Sequence, residues 1–335
     1  MDSETLKETA RALAAGDKGI LAMDESVPTC NRRFAILGIE ETEEKRRQWR
    51  ELIATSPGIG DFISGAILFE ETIRQKTAAG QPIVEVLREA GIIPGIKVDE
   101  RAKAMALHPG EKITEGLDGL RERLEKYREA GARFAKWRAV ITIAEGIPTR
   151  GCIEANAHAL ARYAALAQEA GLVPVVEPEV LMEGTHTMDQ CEEVTEVVLR
   201  EVFSSLVHQR VLLEGTVLKT SMVLPALGCP IQNTIMEEAD ATLRCMLRTV
   251  PAAVPVIAFL SGGQPGQLAS ARLSAINERY RQTAPWALSF SFARAIQQTA
   301  MAQWNGEDAQ REAAQTTLLH RSRSNAMARR GEYIE

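Results

Sequence analysis

Paired cysteines, clustered histidines and long apolar runs are all missing from this chain of 335 residues. The five cysteines (Cys30, Cys152, Cys191, Cys229 and Cys245) are an odd number without a CxxC pair, so neither a zinc ribbon nor a disulfide framework is indicated, and a reducing compartment fits. The five histidines (His108, His158, His186, His208 and His320) show neither HExxH nor any other paired spacing, so no metal site is expected. No apolar stretch reaches 18 residues, and the start "MDSETLKETARALAAGDKG" is charged and amphipathic, so no membrane contact and a cytoplasmic location are expected. A net charge of -6 leaves no basic stripe for nucleic acid, although a few local cations would still suffice for a small anionic substrate. No GxSxG elbow supports a serine hydrolase, and no GxGxxG turn follows the first apolar run.

What the chain does have is alternation. Eight short runs rich in Val, Ile and Phe occur at 19–23, 64–69, 93–98, 133–140, 172–180, 211–219, 254–261 and 287–292, separated by stretches of helical period, several of which stop at Gly. Apolar strands alternating with amphipathic helices imply parallel strands joined by helical crossovers, and eight such units favour a closed (β/α)8 TIM barrel over a doubly wound sheet. The expectation is α/β, one domain spanning 1–335, with extra helices at both ends and a C-terminal helix and short tail from about residue 308. "TEEKRRQWR" reads as a solvated helix face.

In such a barrel chemistry sits at the C-terminal ends of the strands, where charged residues are informative. Lys136 and Arg138 stand two apart in the fourth run, as do Glu177 and Glu179 in the fifth, so each pair shares one side of its strand. Lys97 and Asp99 end the third run, Asp24 and Glu25 the first, and Lys219 the sixth. Of ten lysines, only Lys136 and Lys219 lie beyond residue 126, in a stretch holding 18 arginines, so at those two positions lysine supplies something arginine cannot. Lysine can lose its proton and attack a carbonyl, and a desolvated lysine beside a second cation is the type that forms a Schiff base. The competing reading is a rim ion pair; charge arriving from four other strands favours catalysis. The last two loops, "LSGGQP" and "FSFARA", commonly build a phosphate site in this fold, and here offer Ser261, Gly262, Gly263 and Arg294.

Taken together, "GILAMDES", "GIKVD", "GLDGL", "FAKWR", "VPVVEPE", "LLEGTVLK" and "FLSGGQ" resemble class I, Schiff-base fructose-bisphosphate aldolase from about Gly19 to Tyr333. The resemblance implies a lyase without metal or cofactor that reversibly cleaves fructose 1,6-bisphosphate to dihydroxyacetone phosphate and glyceraldehyde 3-phosphate. It implies Lys219 as the imine-forming residue, Glu177 as general acid/base with Glu179 assisting, and Asp24 as acceptor of the C4-hydroxyl proton. Lys136 and Arg138 would polarise and orient the sugar, with Lys97 adding positive field. Ser261, Gly262 and Arg294 would hold one phosphate and Ser26, Thr29 and Arg33 the other. The partners implied are phosphorylated sugars and further copies of the chain, often as a tetramer. The same chemistry on sedoheptulose 1,7-bisphosphate, and a non-catalytic phosphosugar-binding scaffold, are the alternatives. The chain departs from the family pattern at Met23, Val27-Pro28, Thr220-Ser221 and Ala293, and Thr220-Ser221 is expected to alter that strand's exit. The proton-exchange role of a terminal tyrosine in animal members is not transferred to Tyr333.

Overall fold

A computed structural model describes residues 2–334. Its strands are β1 (Gly19–Met23), β2 (Ile63–Leu68), β3 (Ile93–Lys97), β4 (Ala102–Ala104), β5 (Lys112–Thr114), β6 (Phe134–Ile141), β7 (Val173–Val180), β8 (Val217–Thr220), β9 (Val256–Phe259) and β10 (Ala287–Phe292). Eight of them close a barrel in the order β1-β10-β9-β8-β7-β6-β3-β2, all pairs parallel, while β4 and β5 form a separate antiparallel hairpin. The (β/α)8 barrel read from the sequence is therefore the architecture of the chain, with observed strand ends mostly within a residue or two of the expected ones.

Successive residues on a strand face opposite sides, and the barrel uses that alternation to separate two cores. Outward residues such as Leu21, Met23, Trp137 and Val176 pack against the surrounding helices. Inward residues Ile20, Ala22, Ile67, Phe134, Val173, Val175, Val217, Val256 and Ala258 fill the lower barrel. Helix Ser3–Ala14 joins them through Leu6, Ala10 and Leu13, one face spaced by three and four residues, and so plugs the N-terminal end. The next inward positions up the same strands are Asp24, Lys97, Lys136, Glu177 and Lys219. The barrel is thus apolar below and charged above.

Two expectations are corrected. The sixth run does not form a strand across 211–219: Leu213–Gly215 is a 3-10 turn and β8 begins at Val217. The Gln168 side chain binds the Leu212 carbonyl (2.8 Å), the Gly215 carbonyl (3.2 Å) and the Leu212 amide (2.9 Å), so this segment satisfies its backbone without a ladder. "TEEKRRQWR" is not a solvated face either. In helix Glu43–Ala54, Arg46 and Arg50 are buried beside Trp49, Arg46 gripping Glu71 through two nitrogens (2.8 and 2.7 Å) and Arg50 lying 2.8 Å from Glu25. The hairpin of β4 and β5 was not expected at all.

Glycine makes room for the largest inner side chain. A methyl group on Gly95 would stand 2.3 Å from the Phe134 ring, and one on Gly65 would meet Leu13 at 2.5 Å. Gly95→Ala is expected to destabilise the chain by about 1–3 kcal/mol through overpacking. A urea midpoint that falls for Gly95→Ala and recovers when Phe134→Leu is added checks this; an unchanged midpoint contradicts it.

Candidate active site

β6 and β7 are paired along eight residues, with Arg138 opposite Glu177. This register places the charged ends of the two strands together, and β8 brings Lys219 to the other side of β7. Lys219 Nζ lies 2.9 Å from Glu177 Oε1, while Lys136 Nζ lies 3.1 Å from Glu177 Oε2 and 2.8 Å from Asp24 Oδ2. One carboxylate therefore carries a lysine on each oxygen, and the second lysine bridges to a second carboxylate. All four groups are buried. Arg138 donates its Nε to Glu179, and Lys97 stands 3.7 Å from Asp99.

Burial by itself would raise the Asp24 carboxyl, but the charges of Lys136, Lys219 and Lys97 outweigh it and hold the group well below its ordinary 3.8. Glu177 follows the same logic: burial raises it, Lys136, Lys219 and Arg138 lower it further, and the result is below its ordinary 4.5. For Lys136 burial works against the ammonium form, yet Asp24, Glu177 and Asp99 reverse the effect and raise it. Lys136 is thus held as a permanent cation. At neutral pH two ionised carboxylates therefore flank it.

The chain just beyond Asp24 is fixed from behind. Glu25 faces away from the mouth toward Arg50, and the Gln297 amide donates both to Glu25 (3.2 Å) and to the Ala22 carbonyl (2.6 Å). The sequence reading missed Arg46 and Arg50. Their signal was the spacing of Arg46, Trp49, Arg50 and Ile53, which is that of a core-facing helical stripe.

The last two loops meet as expected. Gly262 and Gly263 have φ of 56° and 103°, and a methyl group on Gly263 would touch Arg294 Nη2 at 2.9 Å. Arg294 opens the helix Arg294–Trp304, so the guanidinium, the glycine backbone, the buried Ser261 and a helix N-terminus share one corner. At the opposite end Ser26 Oγ and Thr29 Oγ1 are 3.1 Å apart, whereas Arg33 is turned to Glu25 and paired with it. Ser221 Oγ donates to the Val180 carbonyl (2.9 Å) and the Leu260 amide to the Thr220 carbonyl (2.9 Å), so side chain and backbone tie β8 to both neighbours. Tyr333 lies far from the mouth: Arg329 binds the Lys18 and Ala14 carbonyls at the barrel's lower end, and the Tyr333 amide donates to Ser274 (3.1 Å). Among the described residues no group of three His, Cys, Asp or Glu side chains is arranged to hold a metal ion. No described helix is long and apolar enough to cross a membrane.

A parallel barrel whose mouth sets a buried lysine against a carboxylate has the architecture of an enzyme that works on a small polar carbonyl compound. A family model described as fructose-bisphosphate aldolase class-I matches residues 5–335. The chain is 53% identical to a probable fructose-bisphosphate aldolase class 1 of Xanthomonas campestris pv. campestris, over 99% of both chains. It is 49% identical to a fructose-bisphosphate aldolase of Dictyostelium discoideum, over 99% of this chain and 93% of the other. The solved structure of fructose-bisphosphate aldolase from Plasmodium falciparum, in complex with TRAP and a small-molecule inhibitor, superposes with a TM-score of 0.97 at 45% identity, covering 99% of this chain and 96% of that one. The chain belongs to the class-I fructose-bisphosphate aldolase family.

The paired carboxylates make stability depend on acid. A carboxyl whose folded pKa is depressed contributes stability above its unfolded pKa and loses it as pH falls toward the folded one. Unfolding free energy is therefore expected to hold near neutrality and to drop once pH passes below the ordinary values of 4.5 and 3.8 for Glu177 and Asp24. Lys136→Met should cost about 3–5 kcal/mol at pH 7 by stranding the carboxylates, and should flatten the acid limb. Urea titrations of both proteins across this pH range check it; parallel curves would refute the assignment.

Proposed function

We propose that the mouth carries out Schiff-base cleavage of fructose 1,6-bisphosphate, with Lys219 as the nucleophile. The observation that carries the reading is the 2.9 Å contact between Lys219 Nζ and Glu177 Oε1, because a nucleophile must have a proton acceptor within hydrogen-bond reach. Proton transfer to Glu177 leaves the amine free to attack the C2 carbonyl. The same carboxyl then returns the proton to the departing hydroxyl of the carbinolamine, which leaves as water and gives the protonated imine. Glu179, held by Arg138, assists in this exchange.

Asp24 accepts the C4-hydroxyl proton as the C3–C4 bond breaks. A carboxylate with a depressed pKa is a weak base, but the hydroxyl becomes acidic only as the bond breaks and the electron pair flows to the imine, so Asp24 needs chiefly to be ionised and in place. Lys136, 2.8 Å away, keeps it so and offers a charge to the sugar hydroxyls. Arg138 and Lys97 orient the chain of the sugar. Ser261, Gly262, Gly263 and Arg294 bind one phosphate; Ser26 and Thr29 meet the other, with Arg33 entering through its hold on Glu25. The whole of 1–335 acts as one domain in this reading, supported by the packing of both terminal helices onto the barrel. A homotetramer and a cytoplasmic location belong to the same reading through family resemblance. The relatives named above favour neither the sedoheptulose preference nor the non-catalytic scaffold.

Incubation with dihydroxyacetone phosphate, borohydride reduction and peptide mapping by mass should place the adduct on Lys219. Lys219→Arg should abolish both adduct and cleavage, Glu177→Gln and Asp24→Asn should each lower kcat by about 10²–10⁴-fold, and EDTA should leave the rate unchanged. An adduct elsewhere, or activity in Lys219→Arg, would sink the mechanism.

A further inference from the structure

Most cations at the mouth already have an anion. Lys97 faces Asp99, Lys136 faces Asp24 and Glu177, Arg138 faces Glu179, Lys219 faces Glu177, and Arg33 faces Glu25. A bisphosphate brings charge at both ends, and the groups that meet it gain most if they are not already neutralised. At the glycine-loop end Arg294 is in no ion pair among the described residues, and at the other end the same holds for Arg101.

Arg101 lines a cavity of about 220 Å³ together with Ser26, Phe69, Lys97, Asp99 and Tyr127, many times the space one water needs. Three more charged residues border it, and each has a partner: Glu100 and Arg123 lie 3.5 Å apart, and Glu70 lies 3.2 Å from Arg74. Arg101 has a φ of 82°, in the left-handed region that a side chain other than glycine occupies at a cost. Of the other such residues, Arg210 and Asn305 follow helix ends and Leu107 turns the hairpin. Arg101 is clamped in place, its amide donating to Asp99 Oδ1 (3.3 Å), its carbonyl accepting from Glu115 (3.1 Å) and the Glu100 amide bonding the Glu115 carbonyl (2.8 Å). The hairpin thus holds Arg101, which is in no ion pair among the described residues, in a strained backbone on the wall of the cavity that Lys97 and Ser26 also line.

We propose that Arg101 is a specificity-determining residue that binds the phosphate on the aldehyde half of the substrate, filling the place Arg33 leaves by turning to Glu25. This rests on the aldolase reading. It makes Arg101 responsible for preferring a ketose bisphosphate over the 1-monophosphate, with no part in bond cleavage.

The test compares wild type, Arg101→Ala and Arg101→Gly with fructose 1,6-bisphosphate and fructose 1-phosphate. Both variants should raise KM for the bisphosphate by about tenfold, the scale of one charge-assisted contact, with kcat unchanged. Both should leave the monophosphate constants as in wild type. Arg101→Gly accepts the backbone geometry without strain, so its thermal midpoint should not fall, separating lost charge from lost structure. Equal losses on both substrates, no loss on either, or a wild-type KM in Arg101→Gly would each overturn the proposal. Failure of wild type to form the Lys219 adduct would instead fault the aldolase reading, so the two failures are told apart.

Discussion

Lys136 and Lys219 set two cations on the two oxygens of one buried carboxylate, Glu177, and the rest of the barrel is arranged so that this contact can exist. Removing each ion from water costs several kcal/mol, and only close, well-directed partners repay it. Neither lysine could sit there alone. The cluster is balanced: the inward cations Lys97, Lys136, Arg138 and Lys219 face the inward carboxylates Asp24, Asp99, Glu177 and Glu179. Neutrality removes the net repulsion that would otherwise open the mouth.

Rigidity comes from below and behind. The apolar lower barrel, sealed by Leu6, Ala10 and Leu13, fixes strand register, and register fixes which charges meet. A slip of one residue between β6 and β7 would turn Lys136 and Glu177 to opposite sides of the wall. Behind Asp24, the contacts of Glu25 with Arg50, Arg33 and Gln297 stop the chain end from swinging. Ser221 and Thr220 do the same for the end of β8 by bonding the backbones of its neighbours.

The sequence carried the barrel and the inner face of the mouth because both follow from local periodicity. Strands alternate with helices, and residues two apart share a face, so Lys136 with Arg138 and Glu177 with Glu179 could be placed without coordinates. What escaped was whatever depended on a distant partner. Val211 to Thr216 looks like strand because nothing local announces that Gln168 takes its backbone groups. Arg46 and Arg50 look like surface because the carboxylates that neutralise them, Glu71 and Glu25, lie 25 residues away in each case. Arg33, which the resemblance offers to a phosphate, is instead paired with Glu25, and nothing local announces that contact. The short strands of the hairpin, "AKA" and "KIT", are too brief and too polar to show a period.

The choice of lysine over arginine at the two central positions follows from the same contact. A guanidinium on Glu177 would bind both oxygens at once and could not give up a proton, so it would close the carboxylate to any second cation. An ammonium occupies one oxygen and leaves the other open. Lys136, fastened also to Asp24, keeps its charge throughout. Lys219 is ion-paired with Glu177 alone among the described residues. On the aldolase reading, proton transfer between them would remove one positive and one negative charge together and leave the net charge of the site unchanged. Two lysines of the same chemistry are therefore held differently: one is bridged by two anions and the other touches one.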